Sequence, residues 1–188
     1  MEKTKREKIL DAALEMFVNN GFESSPTSKI AKAAEIATGT LFHYFKTKDE
    51  LINELYLVVK MDMVSALKQN LFEAKTIRQK LEQIWTNSIN WALEKPAGNK
   101  FFAMYGTSSY IATSTREEGY RHFSFALEIL SRGIQEQILK DISMELMTEV
   151  TFGLLNGTTN YYASRREEFA DDNYRAKAFS IYWDAIKR

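Results

Sequence analysis

The sequence predicts an all-α fold. Three observations support this prediction: the small number of prolines and glycines, the spacing of the apolar residues and the positions of residues that end helices. The 188 residues include only two prolines and eight glycines, too few for the many tight turns of a sheet protein. Apolar residues make up 45% of the chain and recur at intervals of three and four over long stretches. Capping or breaking residues separate these stretches, so we expect about nine helices.

Three short helices are predicted at the N-terminus. Their expected ranges are about residues 3–19, 27–34 and 38–45. The first helix buries the face that carries Ile9, Ala13 and Phe17. It ends at Gly21, because glycine accepts the left-handed conformation of a helix C-terminus. The hydroxyl group of Thr27 is expected to cap the second helix.

A long fourth helix follows, and the rest of the chain is helical too. Thr47 and Glu50 form a capping box that opens this helix, which is expected to extend to about residue 71. The later helices are expected at about residues 76–94, 99–111, 115–139, 143–166 and 171–187. Because no flexible linker interrupts the chain, the fourth helix is expected to connect an N-terminal domain, residues 1–46, with a larger domain, residues 47–188.

Composition limits the functions that the chain can have. It has no cysteine, and neither of its two histidines has metal-binding partners at a suitable spacing, so no metal or other cofactor is expected. It lacks a Gly-x-Ser-x-Gly elbow and phosphate-cradling glycines, which argues against an enzyme. No apolar run reaches ~18 residues and no signal peptide is recognisable, so a soluble cytoplasmic protein is expected.

The third predicted helix has two distinct faces. Leu41 and Phe45 point together toward a core, and Gly39 and His43 lie on the opposite side. Three short helices with a sharp turn before the third are typical of a helix-turn-helix, whose third helix enters the major groove of DNA. The net charge is zero, but four lysines and one acid lie between residues 24 and 48. We therefore expect double-stranded DNA to be a partner.

The expected DNA contacts divide into base contacts and phosphate contacts. Thr40 and His43 can form hydrogen bonds with base edges, and Thr40 or Phe42 can contact a thymine methyl group. Hydroxyl, ammonium and helix N-terminal amide groups suit phosphates. The predicted DNA-binding residues are Thr27, Ser28, Thr38, Gly39, Thr40, Phe42, His43, Tyr44, Lys46 and Lys48. The aromatic residues of this set could instead be core residues, and the lysines could be merely solvated.

Residues 6–55 resemble the N-terminal part of the TetR/AcrR family of bacterial regulators. The matching residues, at the family's spacing, are Gly21-Phe22, Thr27, Ile30-Ala31, Ala34-Glu35-Ile36-Ala37, the run from Gly39 to Phe45, Lys48 and Leu51. The remaining two-thirds of the chain resembles the family only in length and helical pattern. The resemblance implies a homodimeric regulator, expected to be a repressor, that binds a palindromic operator.

Three residues depart from the family's pattern. Glu35 replaces the usual turn glycine, so either a non-glycine residue adopts a positive φ or the turn differs slightly. Ala37 replaces a serine and cannot cap the third helix, a role that Thr38 can take one residue later. Phe42 replaces a tyrosine and lacks a hydroxyl group that could reach a phosphate.

For the larger domain, the resemblance implies a cavity for a small hydrophobic or amphipathic ligand that releases the protein from DNA. The residues suspected of lining it are Met61, Trp85, Ile89, Phe102, Tyr105, Phe123, Asn156 and Asn160. Core packing is the alternative for each aromatic residue, and interhelical or capping hydrogen bonds are the alternative for the two asparagines. Control by a protein partner, with no small-molecule inducer, is the alternative function.

The resemblance also implies that the last two helices form a four-helix bundle with those of a second subunit. Gly153 and Gly157, four residues apart, would allow a close approach of another helix. From the sequence alone, the same two helices could equally close the core of a single chain.

Overall fold

The computed structural model describes residues 3–188 and is built from helices. Eleven α-helices and one short 3₁₀ turn, η1, occur in these residues. The first four are α1 (Lys5–Asn20), α2 (Thr27–Ala33), α3 (Thr38–Tyr44) and α4 (Lys48–Leu67). Next come η1 (Leu71–Glu73), α5 (Ile77–Glu94), α6 (Pro96–Tyr105), α7 (Thr113–Arg121) and α8 (Ser124–Gln135). The last three are α9 (Met144–Ala163), α10 (Arg166–Ala170) and α11 (Asp172–Ile186). The predicted all-α class is confirmed.

The chain divides into two compact units. The first contains the residues up to Met61 together with Lys95–Arg121, and the second contains Asp62–Glu94 and His122–Arg188. The predicted boundary between residues 46 and 47 separates an expected DNA-binding domain from an expected ligand-binding domain, rather than two compact units. It stays a prediction. Across the part of the chain that the structure describes, no helix has the length and apolar character needed to cross a lipid bilayer.

The first unit is organised around α1. A capping box between Thr4 and Glu7 starts this helix, which packs against α2 and α6. Phe17 of α1 is fully buried, as is Ile30 of α2. Tyr105 of α6 packs edge-on against Phe17 and donates a 2.9 Å hydrogen bond to the Phe17 carbonyl oxygen. These contacts give the short N-terminal helices a stable support.

The second unit is organised around α5, which packs against α8 and α9, while α9 also packs against α11. Trp85 of α5 is 1% exposed, and its ring centroid lies 6.0 Å from that of Phe169 and 5.6 Å from that of Phe179. Ile89 and Met147 are fully buried in the same core. An isolated antiparallel β-bridge joins Leu139 to Lys187, next to the C-terminal residue.

Several helix boundaries differ from the predictions, including the end of α4 at Leu67 rather than near residue 71 and the end of α6 at Tyr105 rather than near residue 111. The single helix expected over residues 115–139 is two helices, because the chain turns at His122-Phe123 between α7 and α8. The helix expected over 143–166 ends at Ala163, and the short α10 follows it. Helix α6 begins at Pro96 rather than near residue 99, since proline is tolerated in the first helical turn.

Candidate nucleic-acid interface

Helix α3 is anchored by its apolar face. Leu41 is fully buried, and Phe45, which directly follows the helix, is 1% exposed. The backbone N–H of Phe45 donates to the Leu41 carbonyl oxygen at 2.9 Å. Since α3 packs against α2, this pair fixes which side of α3 faces outward. The predicted inward pair is confirmed.

The opposite side of α3 is open to solvent. The exposed residues on α3 are Thr38, Gly39, Phe42, His43 and Tyr44, and Thr40 is half-buried. Phe42 and Tyr44 expose 40% and 39% of their surface, so neither is a core aromatic. At the start of α2, Ser28 is exposed and Thr27 is half-buried. These residues are accessible to a DNA duplex, and their contacts with it stay predictions.

The turn between α2 and α3 contains a non-glycine residue in the left-handed region. Glu35 adopts a φ of 57°, which is the first of the two alternatives that the replacement of the usual glycine left open. The N–H of the next residue, Ile36, donates to the Ala31 carbonyl oxygen at 3.0 Å and closes the turn. A left-handed conformation costs a residue with a Cβ about 1–2 kcal/mol, so this turn is maintained by the packing around it.

The predicted side-chain caps of α2 and α3 are wrong. Thr27 and Thr38 are each the first residue of their helix rather than the residue before it. The N-cap positions belong to Pro26 and Ala37, which have extended backbones and no side-chain hydrogen bond to the helix. The first turns of both helices therefore keep amide N–H groups without an intrahelical acceptor. Such groups can donate hydrogen bonds to the oxygen atoms of a phosphate.

Replacing Ala37 by serine should stabilise the chain. The N-cap backbone is already extended, with φ −69° and ψ 144°, so a serine hydroxyl group can accept a hydrogen bond from the first turn of α3. We expect the free energy of unfolding to rise by about 1 kcal/mol, measured by urea denaturation. Ala37→Val is the control, because it adds side-chain atoms without an acceptor. Equal stability of the serine and valine variants would contradict the capping argument.

The start of α4 is capped largely as predicted. The Thr47 hydroxyl oxygen accepts a 3.0 Å hydrogen bond from the Glu50 N–H, whereas the Glu50 carboxylate accepts from the N–H of Lys46 at 2.6 Å. The Lys46 side chain is exposed. Lys48 is half-buried; its ammonium group donates to the Phe22 carbonyl oxygen and lies 4.1 Å from the centroid of the Phe22 ring. In the chain without DNA, Lys48 therefore has a structural contact in addition to its predicted phosphate contact.

The predicted ligand-pocket residues are distributed between the two units. Met61, Phe102 and Tyr105 belong to the first unit, where Tyr105 packs on α1, Phe102 is half-buried and Met61 is 44% exposed. In the second unit, Trp85 and Ile89 are buried and Phe123 is half-buried. The Trp85 indole nitrogen is also buried, and no residue in 3–188 provides it with a hydrogen-bond acceptor.

Asn156 and Asn160 do not face the core of the second unit, contrary to the expectation for a cavity. Both are exposed on α9, on the side where Phe152 is 56% exposed. The buried side of α9 carries Met147 and Tyr162 instead, which are 0% and 3% exposed. The interval of four residues correctly predicts that the two asparagines share a helix face. It cannot identify which face packs inward.

A cluster around Lys60 is not foreseen by the sequence analysis. The Lys60 ammonium group lies 4.5 Å from the Tyr120 ring centroid and 3.2 Å from the Tyr56 hydroxyl oxygen. A Cβ at Gly119 would come within 2.9 Å of the Tyr56 ring, so glycine permits this close approach of α7 to α4. Burial lowers the pKa of Lys60 to about 8 and raises the pKa of Tyr56 to about 12. The only sequence signal is an isolated glycine within a helical stretch.

Comparison with known proteins places this arrangement in a family. Residues 9–55 match the family model for bacterial regulatory proteins of the tetR family. The whole fold is similar to the crystal structure of a TetR-family transcription regulator from Shewanella sp. PV-4. The TM-score is 0.91 at 30% sequence identity, over 99% of this chain and 100% of that chain. The chain belongs to the TetR family. It is therefore a transcriptional regulator with a DNA-binding helix-turn-helix rather than an enzyme.

Other regulatory proteins are similar over much of the chain. The fatty acid metabolism regulator protein of Bacillus subtilis (strain 168) is 27% identical over 180 residues, 89% of each chain. The regulator QacR of Staphylococcus aureus (strain Mu50) is 29% identical over 113 residues, 60% of each chain. FadR from Bacillus subtilis in complex with stearoyl-CoA shares the fold, with a TM-score of 0.71 at 23% identity over 94% of this chain and 95% of that chain.

Proposed function

We propose that this TetR-family regulator is a repressor that binds a palindromic operator as a homodimer and leaves it when a small hydrophobic or amphipathic ligand binds. Each subunit inserts residues 38–44 into a major groove, and the two-fold axis sets the distance between half-sites. The observation that carries the proposal is the exposed polar side of α3 opposite the buried Leu41 and Phe45. Such a repressor acts on the chromosome, in the bacterial cytoplasm.

Exposed apolar residues on α9 and α11 support dimerisation through the last two helices. Phe152 and Ile181 expose 56% and 67% of their surface, and Tyr161 exposes 49%. A Cβ at Gly153 or Gly157 would meet nothing within 4 Å, so this side of α9 is open to another helix. Large apolar side chains that stay exposed on two helices packed against each other mark a candidate protein interface. A second copy of the chain is the partner that the proposal assigns to it.

The indole N–H of Trp85 supports a ligand in the second unit. Leaving a buried donor without an acceptor costs about 1–3 kcal/mol, which a ligand oxygen beside Trp85 would recover. The relative from Bacillus subtilis is named as a fatty acid metabolism regulator, so fatty acyl compounds are the first ligand class to test. Through linkage, a ligand that prefers a conformation with the two α3 helices wrongly separated weakens operator binding.

Control by a protein partner is the second candidate function, and the dense packing around Trp85 favours it. Ile89 is 0% exposed, and Phe169 and Phe179 cover the Trp85 ring. A core that side chains fill completely leaves no space for an inducer, and regulation then requires another protein. The two candidates differ in whether a small molecule alone changes operator affinity.

Selection of bound fragments from a random DNA pool, followed by titration of the selected operator, tests the proposed function. We expect an inverted repeat with half-site centres separated by a multiple of about 10 base pairs. In fluorescence anisotropy, palmitoyl-CoA or palmitate should weaken operator binding about 5- to 150-fold. A pool without any enriched repeat would reject operator binding. An operator affinity unaffected by either acyl compound would reject release by fatty acyl ligands and favour the protein partner.

A further inference from the structure

An open groove with cationic walls and an apolar base lies in the second unit. This cationic groove is lined by residues including Lys68, Phe72, Ile77, Lys80, Ile129 and Arg132, and its volume is about 450 Å³. A space of this size falls within the range of small-molecule sites, which extends from roughly 300 to 1,000 Å³. The lining comes from η1, α5, α8 and the residue after α4, four segments separated in the sequence.

The apolar part of the cationic groove contains an unusually exposed aromatic side chain. Phe72 of η1 exposes 86% of its surface, more than any other large apolar residue of the described chain. At the base, Ile77 is only 6% exposed and also belongs to the buried core that contains Trp85. A nearly fully exposed phenylalanine beside a groove is an apolar surface that an occupant can cover.

The exposed position of Phe72 is fixed by the backbone before it. The buried amide of Asn87 donates to the carbonyl oxygens of Leu67 and Gln69, at 3.2 Å and 2.9 Å. These bonds attach the end of α4 to α5. Asn70 then turns the chain with a φ of 56°, and η1 begins at the next residue. Hydrogen bonds from a buried side chain therefore hold the segment that presents Phe72.

The charges around the groove favour an anion. Lys68, Lys80 and Arg132 line it together with a single acid, Glu128. The Lys68 ammonium group lies 4.8 Å from the centroid of the Phe125 ring, which also lines the groove. The Lys68 side chain therefore lies along the groove wall. The Arg132 Nε atom pairs with the Glu136 carboxylate at 2.6 Å, an exposed ion pair that orients the guanidinium group and contributes little stability.

We propose that the cationic groove binds a soluble single-chain amphiphile with an anionic head group. Its alkyl chain covers Phe72, Ile77 and Ile129, and its carboxylate or phosphate head contacts Lys68, Lys80 and Arg132. An uncharged apolar molecule would bring no anion to the three cations, and a simple anion would leave Phe72 exposed. The proposal deepens the ligand response suggested above, because it gives the chemical class of the ligand, and its regulatory meaning rests on that response.

Isothermal titration calorimetry with decyl phosphate, below its micelle concentration, tests the groove. We expect one saturable site per chain and, since each buried methylene group tightens binding by up to about fourfold, several-fold weaker binding of octyl phosphate. Inorganic phosphate carries only the anionic group, and decanol carries the alkyl chain without a charge. Each should bind at least about tenfold more weakly than decyl phosphate. Equal affinities for decyl phosphate and decanol would overturn the assignment of an anionic head.

Two charge-matched variants locate the site. The combined variant Lys68→Gln, Lys80→Gln, Arg132→Gln should weaken decyl phosphate binding about tenfold or more. The control variant Lys75→Gln, Lys95→Gln, Lys100→Gln removes the same charge at exposed positions outside the groove lining and should bind almost as the parent does. Equal weakening in both variants would overturn the proposal. So would binding through the groove to phosphatidylglycerol vesicles but not to monomeric decyl phosphate, since that result would assign a membrane surface.

The operator titration separates this proposal from the proposed function. If decyl phosphate binds through the three cations but operator affinity stays constant, the groove proposal stands and the ligand response fails. If decyl phosphate weakens operator binding equally in the parent and in the groove variant, the ligand response stands and the groove proposal fails.

Discussion

Replacing Gly39 by glutamate is expected to abolish specific operator binding while the chain stays folded. Gly39 is exposed in the first turn of α3, and a Cβ built there would meet nothing within 4 Å. Its φ lies outside the left-handed region, so a side chain causes no backbone strain. Glycine is also about 0.8–1 kcal/mol less favourable than alanine in a helix interior, so the variant should unfold at the same or a slightly higher urea concentration.

The loss of operator affinity is expected to be large because the new side chain is both bulky and negatively charged. If α3 enters the major groove, a carboxylate at Gly39 faces base edges and phosphates at close range in both subunits. We expect operator affinity to fall about 100-fold or more, or about 1.4 kcal/mol per subunit at the least. Fluorescence anisotropy measures this loss, and urea denaturation confirms that the chain remains folded.

Two variants make the Gly39 experiment specific. Ala103→Glu adds the same charge at an exposed position of α6 and should change operator affinity by no more than about threefold. Gly39→Ala adds only a methyl group and should give an intermediate loss. Operator binding by Gly39→Glu at the parental affinity would contradict the proposed docking of α3.

Helix α3 and its buried face could be predicted from the sequence because their signal is local. Leu41 and Phe45 are four residues apart, and in a single helix this spacing places both on one side without information from elsewhere. The positive φ of Glu35 follows from an equally local comparison, since only the position of a tight turn has to be recognised. Ala37 and Thr38 show the limit of this approach, because a shift of one residue in the helix start moves the N-cap.

The second unit was harder to predict because its features depend on contacts between distant segments. Asn156 and Asn160 lie on the exposed side of α9, while Met147 and Tyr162 take the buried side, and an apolar helix with polar residues on several sides does not reveal this choice. The cationic groove is another example. Lys68, Lys80 and Arg132 belong to three separate segments, and only the packing of these segments in the folded chain brings them to one groove.

Replacing Phe152 and Ile181 by lysine is expected to convert the proposed dimer into a monomer. Both residues are already more than half exposed in the single chain, so the change should not disturb its core. In a dimer formed through α9 and α11, however, the lysines would be buried opposite apolar side chains without a partner charge. Light scattering coupled to size-exclusion chromatography should then give a mass of 21.7 kDa instead of twice that value.

Loss of the dimer should also weaken operator binding about 100-fold or more, because one subunit no longer holds the other near its half-site. The matched control is Met104→Lys with Leu127→Lys, which introduces the same charges at residues that are 41% and 40% exposed on α6 and α8. This control should remain dimeric and bind the operator with nearly parental affinity. A monomeric parent chain, or a Phe152→Lys, Ile181→Lys variant that stays dimeric, would reject α9 and α11 as the dimer interface. Because the substituted residues are remote in sequence from α3, a joint loss of dimer and DNA affinity would show that two linked recognition helices are needed to hold the operator.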